Sequence, residues 1–343
     1  MEKLDLRSLT LDKLNIKIEE LGEKAFRSKQ IFNWMHKNQV NTIDEMTNLS
    51  KNLRQRLMSE FKLSNITMLE RLVSSDNTIK YLFDIGDNIL IESVLMRYSY
   101  GNTLCISTQA GCRMGCTFCA STVNGLDRNL LAGEMLEQIY KVQKDINDRI
   151  SNVVLMGSGE PLDNYENVID FLNIVNDKEG NNLGHRHITL STCGITNKIY
   201  ELAKLKLQIT LAISLHAPND DIRVRTMPIA KSHTYDKVLE SAKDYANITK
   251  RRVTFEYALI KDVNDSNENA LELAKGLKGM MCHVNLIPVN DVNENDYKRS
   301  SEQRILSFAD VLKNEGVEVT IRRKLGSDIN AACGQLRMRY KKN

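Results

Sequence analysis

LCISTQAGCRMGCTFCAS, residues 104–121, is the stretch from which the rest of the chain is read. It begins as a strand and then places Cys112, Cys116 and Cys119 in a C-x3-C-x2-C run in the loop that follows. Three thiols crowded into eight residues suit a metal site better than a disulfide framework. Thiolates hold iron-sulfur clusters, and three of them on a four-iron cubane leave one iron open to bind a cofactor. Zinc on the same thiols would need a fourth ligand from a distant segment, such as His216.

Downstream of this loop, strand-like and helix-like runs alternate. NVVLMG, HITLST, QITLAISL, RVTFEYALI, HVNLIPV and VEVTIRR are separated by helical patterns over 133–148, 165–175, 196–204, 235–246, 267–278 and 302–315. That alternation predicts an α/β fold, a partial parallel (β/α) barrel over residues 98–330, with its active residues at the C-terminal ends of the strands. Upstream, ITMLERLV, IKYLFDI and ILIESVLM, punctuated by SSDNT and GDN, predict a β-meander extension over 63–97. Residues 1–62 read as a helical module, with Leu11, Leu14, Ile18 and Leu21 at helical spacing before Gly22. Within it, Lys24 to Lys37 carries four basic residues, no acidic one, and Phe26, Phe32 and Trp34 between them. Such rings can stack on RNA; ring by ring, the core of a helical bundle is the favoured expectation.

Composition narrows the class. A chain of 343 residues with 42% hydrophobic content can bury a large core. No run of about eighteen apolar residues occurs, and the opening MEKLDLRSLT has no apolar leader segment, which predicts a cytoplasmic protein with no membrane association. The net charge of +3 is too small to argue for nucleic-acid binding, but residues 317–343 carry a local balance of +5. Arg322, Arg323, Lys324, Arg337, Arg339, Lys341 and Lys342 make it up, a patch able to hold phosphates or simply a solvated end. Gly157-Ser-Gly159 lacks the third glycine of a dinucleotide fingerprint, and no phosphate-binding G-x-x-x-x-G-K-[ST] loop occurs.

On these residues the chain resembles the radical S-adenosylmethionine (SAM) superfamily, and within it the RlmN family of adenine carbon-2 RNA methyltransferases, with the Cfr enzymes as neighbours. The matching runs are LCISTQAGCRMGCTFCAS, MGSGEPLDN, HITLSTCGI, SLHAPND, MPI, VNDS, HVNLIPVN and GSDINAACGQL, together with FRSKQIFNW and IESVLM. The resemblance implies a 4Fe-4S cluster on Cys112, Cys116 and Cys119, with SAM at the open iron. It places SAM contacts at Gly159, Glu160, Ser191, Ser214, Leu215, His216 and Asn290. Cys333, in a C-terminal segment over 331–343, matches the methyl carrier, Cys105 the thiol that resolves a protein-RNA link through a transient Cys105–Cys333 disulfide, and Glu92 a proton acceptor. The ring proton would pass to Glu92 or to Cys105. Two SAM molecules per turnover, 23S rRNA and tRNA substrates, a flavodoxin-type electron donor and a monomer are implied in the same way. A Cfr-type carbon-8 methylase would keep all these cysteines, and a zinc-stabilised RNA-binding protein is the reading outside catalysis. Cys193 and Cys282 match no motif and are expected in the core.

Overall fold

The computed structural model describes residues 3–290 and 296–336, and the backbone of 339–340. Ten strands form one continuous path through the main sheet: β1 (Thr67–Val73), β2 (Ile79–Asp84), β3 (Ile89–Tyr98), β4 (Gly101–Cys105), β5 (Ile150–Leu155), β6 (Ile188–Thr192), β7 (Thr210–Ser214), β8 (Val253–Leu259), β9 (Cys282–Pro288) and β10 (Val319–Ile321). Their spatial order is their chain order, and a further strand, β11 (Arg339–Tyr340), pairs with β3. From β1 to β4 the pairing is antiparallel, the expected meander. From β4 to β10 every pair is parallel. Parallel neighbours need crossovers, and the sequence supplies helices at each gap.

These crossover helices are α4 (Ala132–Ile146), α5 (Tyr165–Asn176), α6 (Thr196–Lys204), α8 (Tyr235–Thr249), α9 (Asn267–Leu277) and α10 (Glu302–Asn314). All six lie within a few residues of the predicted spans, because each carries an apolar stripe long enough to be read. The short α7 (Asp220–Thr226), capped by the Asn219 side chain, was not anticipated. Seven residues hold too little periodicity to distinguish them from loop. Ile139, Phe171, Ile199, Val238, Leu273 and Phe308, one from each crossover helix, are buried in one core with strand residues such as Val153, Leu190, Leu211, Phe255 and Val284.

Ahead of the sheet, α1 (Leu11–Glu20), α2 (Phe26–His36) and α3 (Lys51–Glu60) form the helical N-terminal region, with Leu4–Asp5 pairing parallel to Phe61–Lys62. Phe32 is fully buried, as a core ring should be. Phe26 is not: it is half exposed, with the Arg27 guanidinium 4.7 Å from its ring centre. No helix among the described residues is long and apolar enough to cross a membrane.

Candidate active site

Beyond the C-terminal ends of the parallel strands the loops enclose a cavity of about 1010 Å³, counting its open mouth. Cys112, Cys116 and Cys119 line it together with Gly159, Glu160, Ser191, Ser214, His216, Asn290 and Cys333. Residues spread over more than two hundred positions thus meet in one volume, where a parallel α/β sheet puts its chemistry. Leu215 lies behind the wall, fully buried, its N–H donating to the Glu256 carbonyl at 3.1 Å.

The cysteine loop is tied down on both sides. Gln109–Gly111 pairs with Leu126–Asn129, and the Cys112 N–H donates to the Gly125 carbonyl at 2.9 Å. Thr117 N–H reaches the Thr226 carbonyl at 2.9 Å, and Arg113 forms an ion pair with Asp163 at 2.5 Å. Burial pushes the Cys112 thiol up to about 12 and raises those of Cys116 and Cys119. A thiol that burial keeps protonated becomes a thiolate when a cation supplies the missing charge. Among the described residues no three ligands close around a single ion, whereas a cubane takes one thiolate per iron and needs them only to face a common volume. The donor set and the adjoining room fit such a cluster.

Across the cavity, Gly159 has a left-handed φ of +105°, and a Cβ there would lie 2.5 Å from Cβ of Gln109. Only glycine lets the chain pass so close. Next to it the Glu160 carboxylate is buried and accepts from the N–H groups of Leu162 at 2.9 Å and Cys193 at 2.7 Å. Burial raises its pKa on balance, with these donors holding the rise back, and a cationic amine placed beside it would favour the charged form. The hydroxyls of Ser191 and Ser214 sit 3.5 Å apart on adjacent strands. His216 accepts the Ala258 N–H on Nδ1 at 2.8 Å, and burial lowers its pKa to about 3. Its ring is therefore neutral, set edge-on to Phe118 of the cysteine loop at 4.9 Å.

Cys333 rides on a segment strung between two anchors. At one end the turn between β1 and β2, with the start of β2, grips it: Asp76 accepts the Gly326 N–H at 2.8 Å, Asp328 accepts from Ser74 at 2.5 Å and Ser75 at 3.0 Å, and Lys80 of β2 donates to the Asn330 carbonyl at 3.2 Å. At the other end the cysteine loop holds it, Ala120 N–H to the Gly334 carbonyl at 2.8 Å and the Ser121 hydroxyl to the Leu336 carbonyl at 2.5 Å. Asn290 Nδ2 donates to the Cys333 carbonyl at 3.2 Å. Beneath the segment, Ala331 and Leu336 pack on Val94, Met96 and Cys105. Glu92 shares that face of β3 and lies 3.6 Å from Lys80. Burial pushes the Cys105 thiol up to about 12, with the nearby Cys333 adding to the rise.

All seven cysteines are free, and no bond joins Cys105 to Cys333, a link expected only as a transient one. Cys333 borders the cavity while Cys105 lies on the sheet below it.

Three residues of the site had no role assigned to them from the sequence. Cys193, expected as plain core, is buried against Cys112, Met114 and Met227 on the cavity wall. Glu256, on β8, lines the cavity and accepts from Asn285 at 2.8 Å. Arg322, expected in the basic patch, is half-buried on the cavity wall, its Nη1 3.7 Å from the Met156 sulfur, and its pKa is raised by the neighbouring Cys333 and Glu256. The side chains of Arg337, Arg339, Lys341 and Lys342 lie outside the described residues.

Comparison with known proteins follows this geometry. The model of the radical SAM superfamily matches residues 106–274, and that of the ribosomal RNA large subunit methyltransferase N-terminal domain matches residues 4–63. A probable dual-specificity RNA methyltransferase RlmN of Alkaliphilus oremlandii is 57% identical over 344 aligned residues, covering 100% of both chains. Its counterpart in Clostridium novyi is 55% identical over 99% of both. The crystal structure of a radical SAM methyltransferase from Sphaerobacter thermophilus superimposes with a TM-score of 0.91 at 41% identity, over 97% of this chain and 99% of that one.

Proposed function

The chain belongs to the RlmN family of radical SAM RNA methyltransferases, and on that premise we propose that it methylates carbon 2 of adenine in 23S rRNA near the peptidyl transferase centre and in tRNA just 3′ of the anticodon, through a methyl group first carried on Cys333. The observation that carries this reading is that Cys333 borders the same cavity as the three cluster cysteines and all but one of the SAM-contact residues. Carbon 2 lies between two ring nitrogens and is electron-poor, so it is a bad nucleophile toward a SAM methyl group. A thiolate is a good one.

When bound, the cluster and two SAM molecules per turnover supply the methyl group and the 5′-deoxyadenosyl radical. Cys112, Cys116 and Cys119 hold the cluster; Gly159, Glu160, Ser191, Ser214, Leu215, His216 and Asn290 hold SAM, with the Glu160 carboxylate taking its amino group. Cys333 would take up the methyl group, lose a hydrogen atom from it to the 5′-deoxyadenosyl radical, and join the resulting carbon to carbon 2. The adduct would then lose the ring proton, to Glu92 or Cys105, and its unpaired electron, returned to the bound cluster; the Cys105 thiolate attacks the Cys333 sulfur, the carbon-sulfur bond breaks with its electron pair left on carbon, and that carbon takes up a proton to become the methyl group. Arg322 sets a fixed positive charge beside both thiols throughout. On this reading residues 1–62 and the basic C-terminal end bring folded RNA to the mouth, where the target base leaves its stack. A flavodoxin-type reductant, a monomeric state and a cytoplasmic location complete the proposal.

The test is to digest RNA from cells lacking the enzyme, complemented with this chain, and locate the new methyl group by mass spectrometry. The expected product is 2-methyladenosine. Methylation at carbon 8 would favour the Cfr-type reaction, and a colourless, zinc-bearing protein that leaves RNA unmethylated would favour an RNA-binding protein.

A further inference from the structure

Every second residue of β3 faces the Cys333 segment, and the row does not stop at the cavity. Val94 and Met96 pack directly on that segment, and Tyr98, next in the row, packs against the same cluster. At the turn into β4 the chain adds Tyr100, whose ring stacks on Tyr98 with centres 4.9 Å apart and planes within 8°. Tyr100 is 68% exposed. One face of its ring is covered by Tyr98, and the ring buries no core of its own.

Burial raises the Tyr98 hydroxyl, and the nearby Arg322 and Arg323 guanidiniums partly offset the rise. Arg323 and Lys324 are exposed, and with Arg299 they line a second, smaller cavity of about 460 Å³ that shares Cys333 and Asn290 with the first. An open aromatic face, backed by a ring that packs with Val94 and Met96 against the Cys333 segment while those same two residues line the cation-bearing cavity, is complementary to an unpaired base and its phosphates.

We propose that the stacked Tyr98–Tyr100 pair is a base-stacking platform, on which an unpaired nucleobase flanking the target adenine lies against Tyr100 while its phosphates meet Arg323 and Lys324. This rests on the RNA methylation reading above and specifies how the RNA is held. Stacking is tolerant of base identity, so one platform serves two different RNA contexts. The pair acts in binding and touches neither cofactor nor the transferred carbon.

The experiment uses reconstituted holoenzyme and an unmodified transcribed tRNA, with Tyr100→Ala, Tyr100→Phe and an Arg323→Ala/Lys324→Ala double variant. Tyr100→Ala is expected to raise the KM for tRNA roughly tenfold, with a smaller effect on kcat and an unchanged dependence of binding on salt. Tyr100→Phe keeps the ring and should restore wild-type KM. The double variant should reduce the salt slope by about one to two. An unchanged KM in Tyr100→Ala, or a Tyr100→Phe variant as weak as the alanine one, overturns the platform and leaves the pair to hairpin packing or another partner. Cys333 methylation, read by peptide mass spectrometry before RNA is added, separates the two levels. If wild-type protein carries the methyl group but neither binds nor methylates tRNA, the failure lies in the RNA reading, and the platform falls with it.

Discussion

His216 shows how one residue can be fixed by the fold and still serve the site. Its backbone is left-handed at φ 55°, its carbonyl accepts from Asn264 at 2.8 Å, and its Nδ1 is committed to Ala258. Only Nε2 remains to face a ligand, and it must carry the proton. With the folded pKa lowered to about 3 against an ordinary 6.5, the unfolded chain takes up a proton between those values and the folded chain does not. Stability contributed by neutral His216 is therefore present above pH 6.5 and lost as pH falls toward 3. Denaturant titrations of wild type and His216→Asn from pH 7.5 to 5 should show the wild type losing the larger increment, up to about 1.4 kcal/mol per pH unit. A difference between the two that does not change with pH would contradict this assignment. Nothing in the sequence pattern distinguishes this histidine from one in a zinc site; the hydrogen bond to Ala258 does.

On the proposed route the element that decides catalysis is the segment carrying Cys333, and it is positioned by a turn far from it in sequence. Gly326 adopts φ +64°, and a Cβ there would lie 2.8 Å from Cβ of Ala331 and 2.9 Å from Cγ2 of Thr78, so the turn and the segment close tightly on each other. Backbone and hydroxyl donors lower the pKa of Asp76 to about 2 despite some burial, and that of Asp328 as well, so both carboxylates are charged at neutral pH. The grip persists above the ordinary 3.8 and weakens as pH falls toward 2. In an Asp76→Ala/Asp328→Ala variant, hydrogen exchange across 326–336 should accelerate and the fraction of methylated Cys333 should fall, with iron content unchanged. Wild-type exchange and full methylation would show that the cysteine-loop anchor alone suffices. The sequence signalled the meander by its alternation and turn residues, but a clasp between positions 76 and 326 has no local pattern to reveal it.

For the molecule as a whole, the parallel half of the sheet was legible because strand and helix periods alternate cleanly from residue 101 onward. The cysteine spacing was legible because one loop holds all three candidate ligands locally. Cys105 and Glu92 were not, since a cysteine or carboxylate inside a strand reads like any neighbour until the carrier segment is seen packed over it; only the family resemblance pointed to them. The place of Arg322 on the cavity wall was not legible either, because a charge near a chain end gives no sign of which surface it meets. The N-terminal region joins the sheet through a polar contact that composition hides: Arg7, fully buried, pairs with Glu137 of α4 and bonds the Val40 carbonyl, and His36 meets the Tyr140 hydroxyl at 3.0 Å. Such a buried pair fixes one docking geometry more than it adds stability. It gives the helical region and the cavity a defined relation, as an enzyme gripping a large folded RNA requires.

The two-cysteine route differs from every simpler one in passing through a covalent bond between protein and RNA. The measurement that tests it is a denaturing gel of Cys105→Ala protein expressed in cells, with and without ribonuclease, followed by mapping of any linked peptide. If, as proposed, Cys105 acts only after the carbon has joined the base, the variant should retain a denaturation-resistant RNA adduct on Cys333, and Cys333→Ala or Cys116→Ala should form none. A well-folded Cys105→Ala protein that carries no RNA and still makes methyladenosine would contradict the account.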